Sequence, residues 1–114
     1  MATITDPETK EYRRLRRLFK GLPKNKLAIA EGLLHQAART KVQLDNLYQD
    51  IAANGNTELF SQSEKTDPYE RERPASAIYA KLDKNYQAII KQLNDMMPPP
   101  DESDDSLDNF RINS

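Results

Sequence analysis

The chain reads as an all-α protein: a short basic N-terminal helix packed on a long antiparallel helical hairpin. Three observations predict it. Glycine is scarce, with three in 114 residues, while charged residues make up 31%, a balance that suits helices better than a sheet sandwich. Two long stretches place apolar residues at alternating steps of three and four, the period of one helix face. Prolines fall where helices begin or end, at Pro7, Pro23, Pro74 and Pro98.

The first helix is expected over residues 6–20. Asp6 suits the N-cap and Pro7 the first turn. Gly21 and Pro23 provide a stop. Tyr12, Leu15, Phe19 and Leu22 form one apolar stripe, with Arg13, Arg17 and Lys20 opposite and Lys10, Arg14 and Arg16 beside it. The second helix is expected over 24–53, ending at Asn54-Gly55; its length is about 45 Å at 1.5 Å per residue. Leu27, Ala30, Leu34, Ala37, Lys41, Leu44, Tyr48 and Ile51 make its seam, widened by Ile29, Leu33, Ala38, Val42 and Leu47. Residues 54–73 show little periodicity and read as a long loop, of a length that is usually functional or mobile. The third helix is expected over 74–97, with a seam of Ala75, Tyr79, Leu82, Tyr86, Ile89, Leu93 and Met96. Pro98-Pro99-Pro100 stops it, since proline lacks the amide donor and clashes with the preceding turn. One domain, 1–97, is followed by an acidic tail, 98–114, expected to be disordered on its own.

The apolar arcs of helices two and three look wider than one partner needs. The surplus is assigned to a subunit interface of Leu34, Leu44, Tyr48, Ile51, Tyr79, Leu82, Tyr86, Ile89 and Leu93. The alternative is that helix one and Leu59-Phe60 cover it within the chain.

Net charge is −1, but the ends differ. Eight cations against three carboxylates give residues 1–26 a charge of +5, and five carboxylates against Arg111 give residues 98–114 a charge of −4. Such asymmetry suggests two different partners. Lys10, Arg13, Arg14, Arg16, Arg17, Lys20, Lys24 and Lys26 are the candidates for neutralising phosphates, with Arg71 and Arg73 a second basic point. Glu70 and Glu72 alternate with that pair, so local ion pairing is the rival reading there. A basic amphipathic helix also suits an acidic protein partner or plain solvation. The tail residues Asp101, Glu102, Asp104, Asp105 and Asp108, with Leu107 and Phe110 among them, suit a short motif that folds onto a partner.

Catalysis has little to stand on. His35 is the single histidine, cysteine is absent, and no Gly-rich phosphate loop occurs. No catalytic residue, metal site or cofactor is assigned, and no small-molecule substrate. No apolar run approaches the roughly 18 residues of a membrane span, and Met1 to Thr5 lack a signal-like apolar region, which makes the cytoplasm the expected compartment.

Several stretches, in this order and spacing, resemble the small terminase subunits of tailed phages. They are Glu31-Gly32-Leu33-Leu34 with Gln36-Ala37-Ala38-Arg39, then Asn54-Gly55-Asn56-Thr57-Glu58-Leu59-Phe60, then Glu72-Arg73-Pro74, then Lys84-Asn85-Tyr86-Gln87-Ala88-Ile89-Ile90-Lys91-Gln92-Leu93. The similarity spans roughly residues 6–97. It implies a non-enzymatic DNA-packaging factor acting in the cytoplasm of a bacterial host. Such subunits assemble as rings, bind double-stranded phage DNA at the packaging site, and recruit and regulate the large terminase subunit, which holds the ATPase and nuclease. Many relatives carry a separate N-terminal helix-turn-helix, and none is identifiable here. The resemblance therefore assigns no DNA-reading residue; the basic helix is the candidate surface, and the tail the candidate dock for the large subunit. The other reading is a helical protein-interaction adaptor without DNA binding.

Overall fold

Pro7, locked near helical φ and needing no amide partner, opens α1 (Pro7–Leu18). The Asp6 carboxylate accepts from the Thr9 backbone N–H at 2.8 Å and from its hydroxyl at 2.9 Å, satisfying donors that the first turn leaves free. The helix stops at Leu18, two residues short of expectation, with Phe19 (φ −106°, ψ 31°) as its C-cap. Gly21 does not adopt positive φ. Its lack of a side chain matters for a different reason: a Cβ there would lie 3.1 Å from Met97 Cε, so glycine lets the end of the third helix close over the turn.

This computed structural model describes residues 6–99. After the turn, α2 (Lys24–Asn54) runs without interruption for 31 residues. Gly55, at φ 85°, ends it in the left-handed region that glycine enters without steric cost, and its N–H bonds back to the Ile51 carbonyl. α3 (Pro74–Met96) then returns antiparallel to α2. α1 packs on the first half of α2, so the expected helix-on-hairpin arrangement is present.

The segment expected to be a loop contains a β-hairpin. β1 (Thr57–Phe60) pairs with β2 (Tyr69–Glu72) in antiparallel register, Thr57 opposite Glu72 and Phe60 opposite Tyr69. Isolated two-stranded hairpins are marginal in water, and this one is held by side chains. The Arg71 guanidinium donates to Glu58 across the ladder at 3.0 and 3.1 Å and lies 3.5 Å over the Phe60 ring. Tyr69 packs edge-on to Phe60, their centroids 5.9 Å apart. At the base, Arg73 donates to the Gly55 carbonyl at 2.7 Å and to Asp50 at 2.9 Å, tying the hairpin to the end of α2.

The core lies at one end. Leu15, Phe19 and Leu22 meet Ala30, Leu34, Ala37 and Ala38 of α2 and Leu93 of α3. The alanines let three helix backbones approach closely, and three leucines, Leu15, Leu34 and Leu93, are sealed from solvent. Beyond the reach of α1 only Leu44 is buried, and Tyr48 and Ile78 are exposed at 62% and 48%. The apolar seam therefore divides. Leu34 and Leu93, expected at a subunit interface, are spent in the chain's own core and offer a second copy no surface. Leu44 is almost as closed, whereas Ile51, Tyr79, Leu82, Tyr86 and Ile89 stay half-buried.

Candidate nucleic-acid interface

The twelve residues of α1 present separate faces. Leu15 points into the core. Glu8, Tyr12 and Arg16, spaced by four, face α2 and make a polar clamp. Glu31 is its centre: it accepts from the Tyr12 hydroxyl and, at 3.2 Å, from Arg16 Nε. His35 stacks flat on Tyr12, their ring centroids 4.2 Å apart, and its Nε2 lies 3.8 Å from Glu31. Arg39 reaches Glu8 at 3.5 Å. The hydrogen bond to Glu31, aided by partial burial, holds the Tyr12 phenol above its usual range.

This clamp was missed in the sequence, where Arg16 read as a phosphate-neutralising candidate and His35 as a lone histidine without a role, and a signal for it exists. Across a tight antiparallel turn, contacting residues have numbers of constant sum; Glu8 with Arg39, Tyr12 with His35 and Arg16 with Glu31 all obey that rule about Gly21-Pro23.

The remaining cations separate into engaged and free groups. Arg14 is forked onto Glu11 at 2.6 and 2.7 Å, and that bond raises its pKa further above the ordinary arginine range. Arg16 belongs to the clamp. Lys10, Arg13, Arg17 and Lys20 are exposed and, among the described residues, have no carboxylate partner. They recur at steps of three, four and three, one outward stripe. From Lys10 to Arg17 the rise is about 10 Å at 1.5 Å per residue, close to three base-pair steps of B-form DNA at about 3.4 Å each.

Lys24 and Lys26 extend the positive end across the turn. They sit in the first turn of α2, which contains no acidic residue and no side-chain cap. Cations there oppose the helix macrodipole, whose positive pole is at this end. Unpaired amides and lysines thus add to the positive potential beside the α1 stripe.

Arg71 and Arg73 do not join this surface. Both are ion-paired at the hairpin, with Glu58 and Asp50 rather than with the alternating Glu70 and Glu72. The tail residues Asp101 to Phe110 lie outside the described residues. A shallow cleft of about 460 Å³ between α2 and α3 is lined mainly by Gln36, Thr40, Gln43, Asn85 and Gln92, which supply hydrogen-bonding groups and no nucleophile or titratable pair. Among the described residues, no cluster of three metal-ligating side chains occurs, and no helix is long and apolar enough to cross a membrane. No family model, curated protein or solved structure matches the chain, so the resemblance to small terminase subunits rests on the sequence stretches that carry it.

Proposed function

We propose that the chain is a small terminase subunit of a tailed phage. On this reading it assembles as a ring, binds double-stranded viral DNA at the packaging site, and recruits and regulates the large terminase subunit in the host cytoplasm. One observation carries the DNA-binding part: six cations without carboxylate partners among the described residues, Lys10, Arg13, Arg17, Lys20, Lys24 and Lys26, gather at one end of the molecule, whereas the other unpaired cations, Lys65, Lys81 and Lys84, are scattered over the hairpin and α3. Ion pairs consume Arg14 and Arg16 nearby, so the unpaired cations of α1 fall on one stripe. Duplex phosphates are repeated, closely spaced anions that such a stripe fits. Affinity then comes from phosphate neutralisation, and selectivity from summed contacts and DNA shape. The half-open apolar face around Tyr48, Ile51, Ile78 and Tyr79 supports the assembly part.

The test is a salt titration of duplex binding, comparing the natural chain with Arg13→Glu/Arg17→Glu. Each phosphate contact adds about 0.9 to the log–log salt slope, so six cations bound it near 5 per subunit, and losing two lowers it by about 2. Helix content and subunit number should not change, because neither arginine has a partner. Arg14 and Arg16 are poor targets, since reversing them breaks contacts with Glu11 and Glu31. Equal affinity of the variant and natural chains at low salt removes α1 as the DNA surface. Absence of duplex binding at low salt, with tight capture of an acidic protein, gives the adaptor reading its place.

A further inference from the structure

α1 and α3 lie side by side and run in the same direction, and their meeting leaves a groove open. Leu18, Phe19, Tyr86, Ile90 and Met97 line a cavity of about 400 Å³, with Arg14 on its rim. Leu18, at its edge, is 59% exposed. A second cleft of about 360 Å³, between α1 and α2, shares Arg14 and is lined by Lys10, Glu11 and Arg17 of α1 and by Asp45 of α2. Together they form a path that is apolar where α3 ends and charged toward the start of α1, where Glu11 and Asp45 are already paired with Arg14 and Lys41 and the cations left over are Lys10 and Arg17.

We propose that the acidic segment 101–112 of the same chain lies back along this path, with Leu107 and Phe110 in the apolar groove and its carboxylates against Arg17 and Lys10. Three features select this occupant. The first is the point of exit. Met97 itself lines the groove, and Pro98-Pro99 turn the chain out of α3 at its lip. From Pro99 to Leu107 an extended chain reaches about 26 Å at 3.3 Å per residue, whereas the groove from Met97 back to Tyr86 is about 16 Å of helix at 1.5 Å per residue. The second is charge. Residues 98–114 carry −4, and the end of α3 from which they continue, at Met97, lies against Gly21, between the unpaired cations of α1 and the lysine-bearing first turn of α2. A second copy of this end would bring like charges together. The third is pattern. Leu107 and Phe110, three apart, fall on one side of a helical turn and supply an aliphatic and an aromatic anchor for a groove of that character.

A tail bound there covers Lys10 and Arg17 and competes with duplex phosphates. This consequence rests on the proposed DNA binding; the docking itself does not.

The chain contains no cysteine, so Ser106→Cys in the full chain gives a single attachment point for a benzophenone photo-crosslinker. Irradiation without DNA, followed by peptide mapping, should place most adducts on residues 14–19 and 86–97. Asp104→Asn/Asp105→Asn/Asp108→Asn should lower that yield severalfold. Leu18→Asp, at a position already exposed, should do the same without loss of helix content. Adducts scattered over the surface, or centred on Tyr48 and Ile78, overturn the proposal. So do adducts that join ¹⁴N chains to ¹⁵N chains in a mixed sample, because the tail would then belong to another copy. With DNA absent, failure here leaves the DNA-binding reading untouched. If both readings hold, the tail-neutralised chain binds duplex severalfold more tightly than the natural one.

Discussion

Replacing Leu93 with alanine should destabilise each subunit by about 3 kcal/mol. Leu93 is wholly buried where α3 meets the other two helices, in one cluster with Leu15, Phe19 and Leu34. Truncation removes three carbons, worth about 2.4 kcal/mol at about 0.8 each. The cavity left behind adds up to about 2 kcal/mol, depending on how far the walls collapse. Those walls belong to three helices, of which α1 and α2 are fixed to each other by the Glu31 clamp while α3 can move in, so collapse is partial and the cavity adds about 1 kcal/mol. For a domain of this size, total stability of about 5–10 kcal/mol is ordinary, and such a loss lowers Tm by roughly 12–24 °C. Urea denaturation followed by far-ultraviolet circular dichroism measures it. Tyr48→Ala is the control: Tyr48 lies on the same seam pattern but is 62% exposed, so within one subunit its truncation should cost less than about 0.5 kcal/mol. A cost below about 1 kcal/mol for Leu93→Ala, together with a change in subunit number, would refute the argument. Leu93 would then be an interface residue, as its place on the helix-three seam first suggested.

Other outcomes follow from the same contacts. Tyr48→Asp/Ile78→Asp should shift the solution mass toward smaller species in light scattering, with helix content intact; an unchanged mass removes this face from assembly. Arg73→Ala should speed amide exchange across Thr57–Phe60 and Tyr69–Glu72, because its bonds to Gly55 and Asp50 anchor the hairpin base. The Asp6 and Asp50 carboxyls are held below the usual range, Asp6 by the Thr9 amide and hydroxyl, Asp50 by the Asn54 amide and Arg73. A depressed carboxyl contributes stability above its unfolded pKa, near 3.9, and loses it as pH falls through the folded value. The urea midpoint should therefore drop as pH is lowered below about 4, and Asp6→Asn, which keeps a capping acceptor but cannot titrate, should flatten that drop. In alkaline titration followed by ultraviolet absorbance, the Tyr12→Phe chain should lose a phenol that ionises later than free tyrosine, since the Glu31 bond raises Tyr12.

The helices were legible because their punctuation is local. Pro7, Pro74 and Pro98 act within one turn of their own position, so the bounds 74–96 and 24–54 fall within a residue of expectation. The hairpin was not legible. Its strands have four residues each, and what selects them is a cross-strand set, Glu58 with Arg71 and Phe60 with Tyr69, whose members are separated in sequence by a connection rich in turn residues. Seam periodicity likewise identifies an apolar face but not its cover. Leu34 and Tyr48 occupy equivalent seam positions two heptads apart, and only the reach of α1 decides that one is sealed and the other open. The charge stripe was legible as composition; which of its arginines are already engaged depends on Glu11 and Glu31, and Glu31 lies on the opposing helix.

The length of α1 sets this division. At twelve residues it covers about 18 Å of α2, whose 31 residues extend about 46 Å at 1.5 Å per residue. The covered end has a closed apolar core and carries the six unpaired cations on its surface, with Leu18 and Ile29 exposed beside them; the uncovered half exposes Tyr48 and Ile78, and its Arg71 and Arg73 are paired. Assembly through the uncovered half would bring copies together without burying any of the six free cations, and each added copy would add a basic end to the same particle. Weak contacts from many such ends sum, provided that a single duplex can engage them together. The groove beside α1 lies at the basic end as well. A tail docked there competes with DNA and not with assembly. Neutralising the tail should accordingly change duplex affinity while leaving subunit number constant, whereas Tyr48→Asp/Ile78→Asp should reduce subunit number first and duplex affinity as a consequence. If the tail variant altered subunit number instead, the two ends would not be independent, and the separation argued from the reach of α1 would fail.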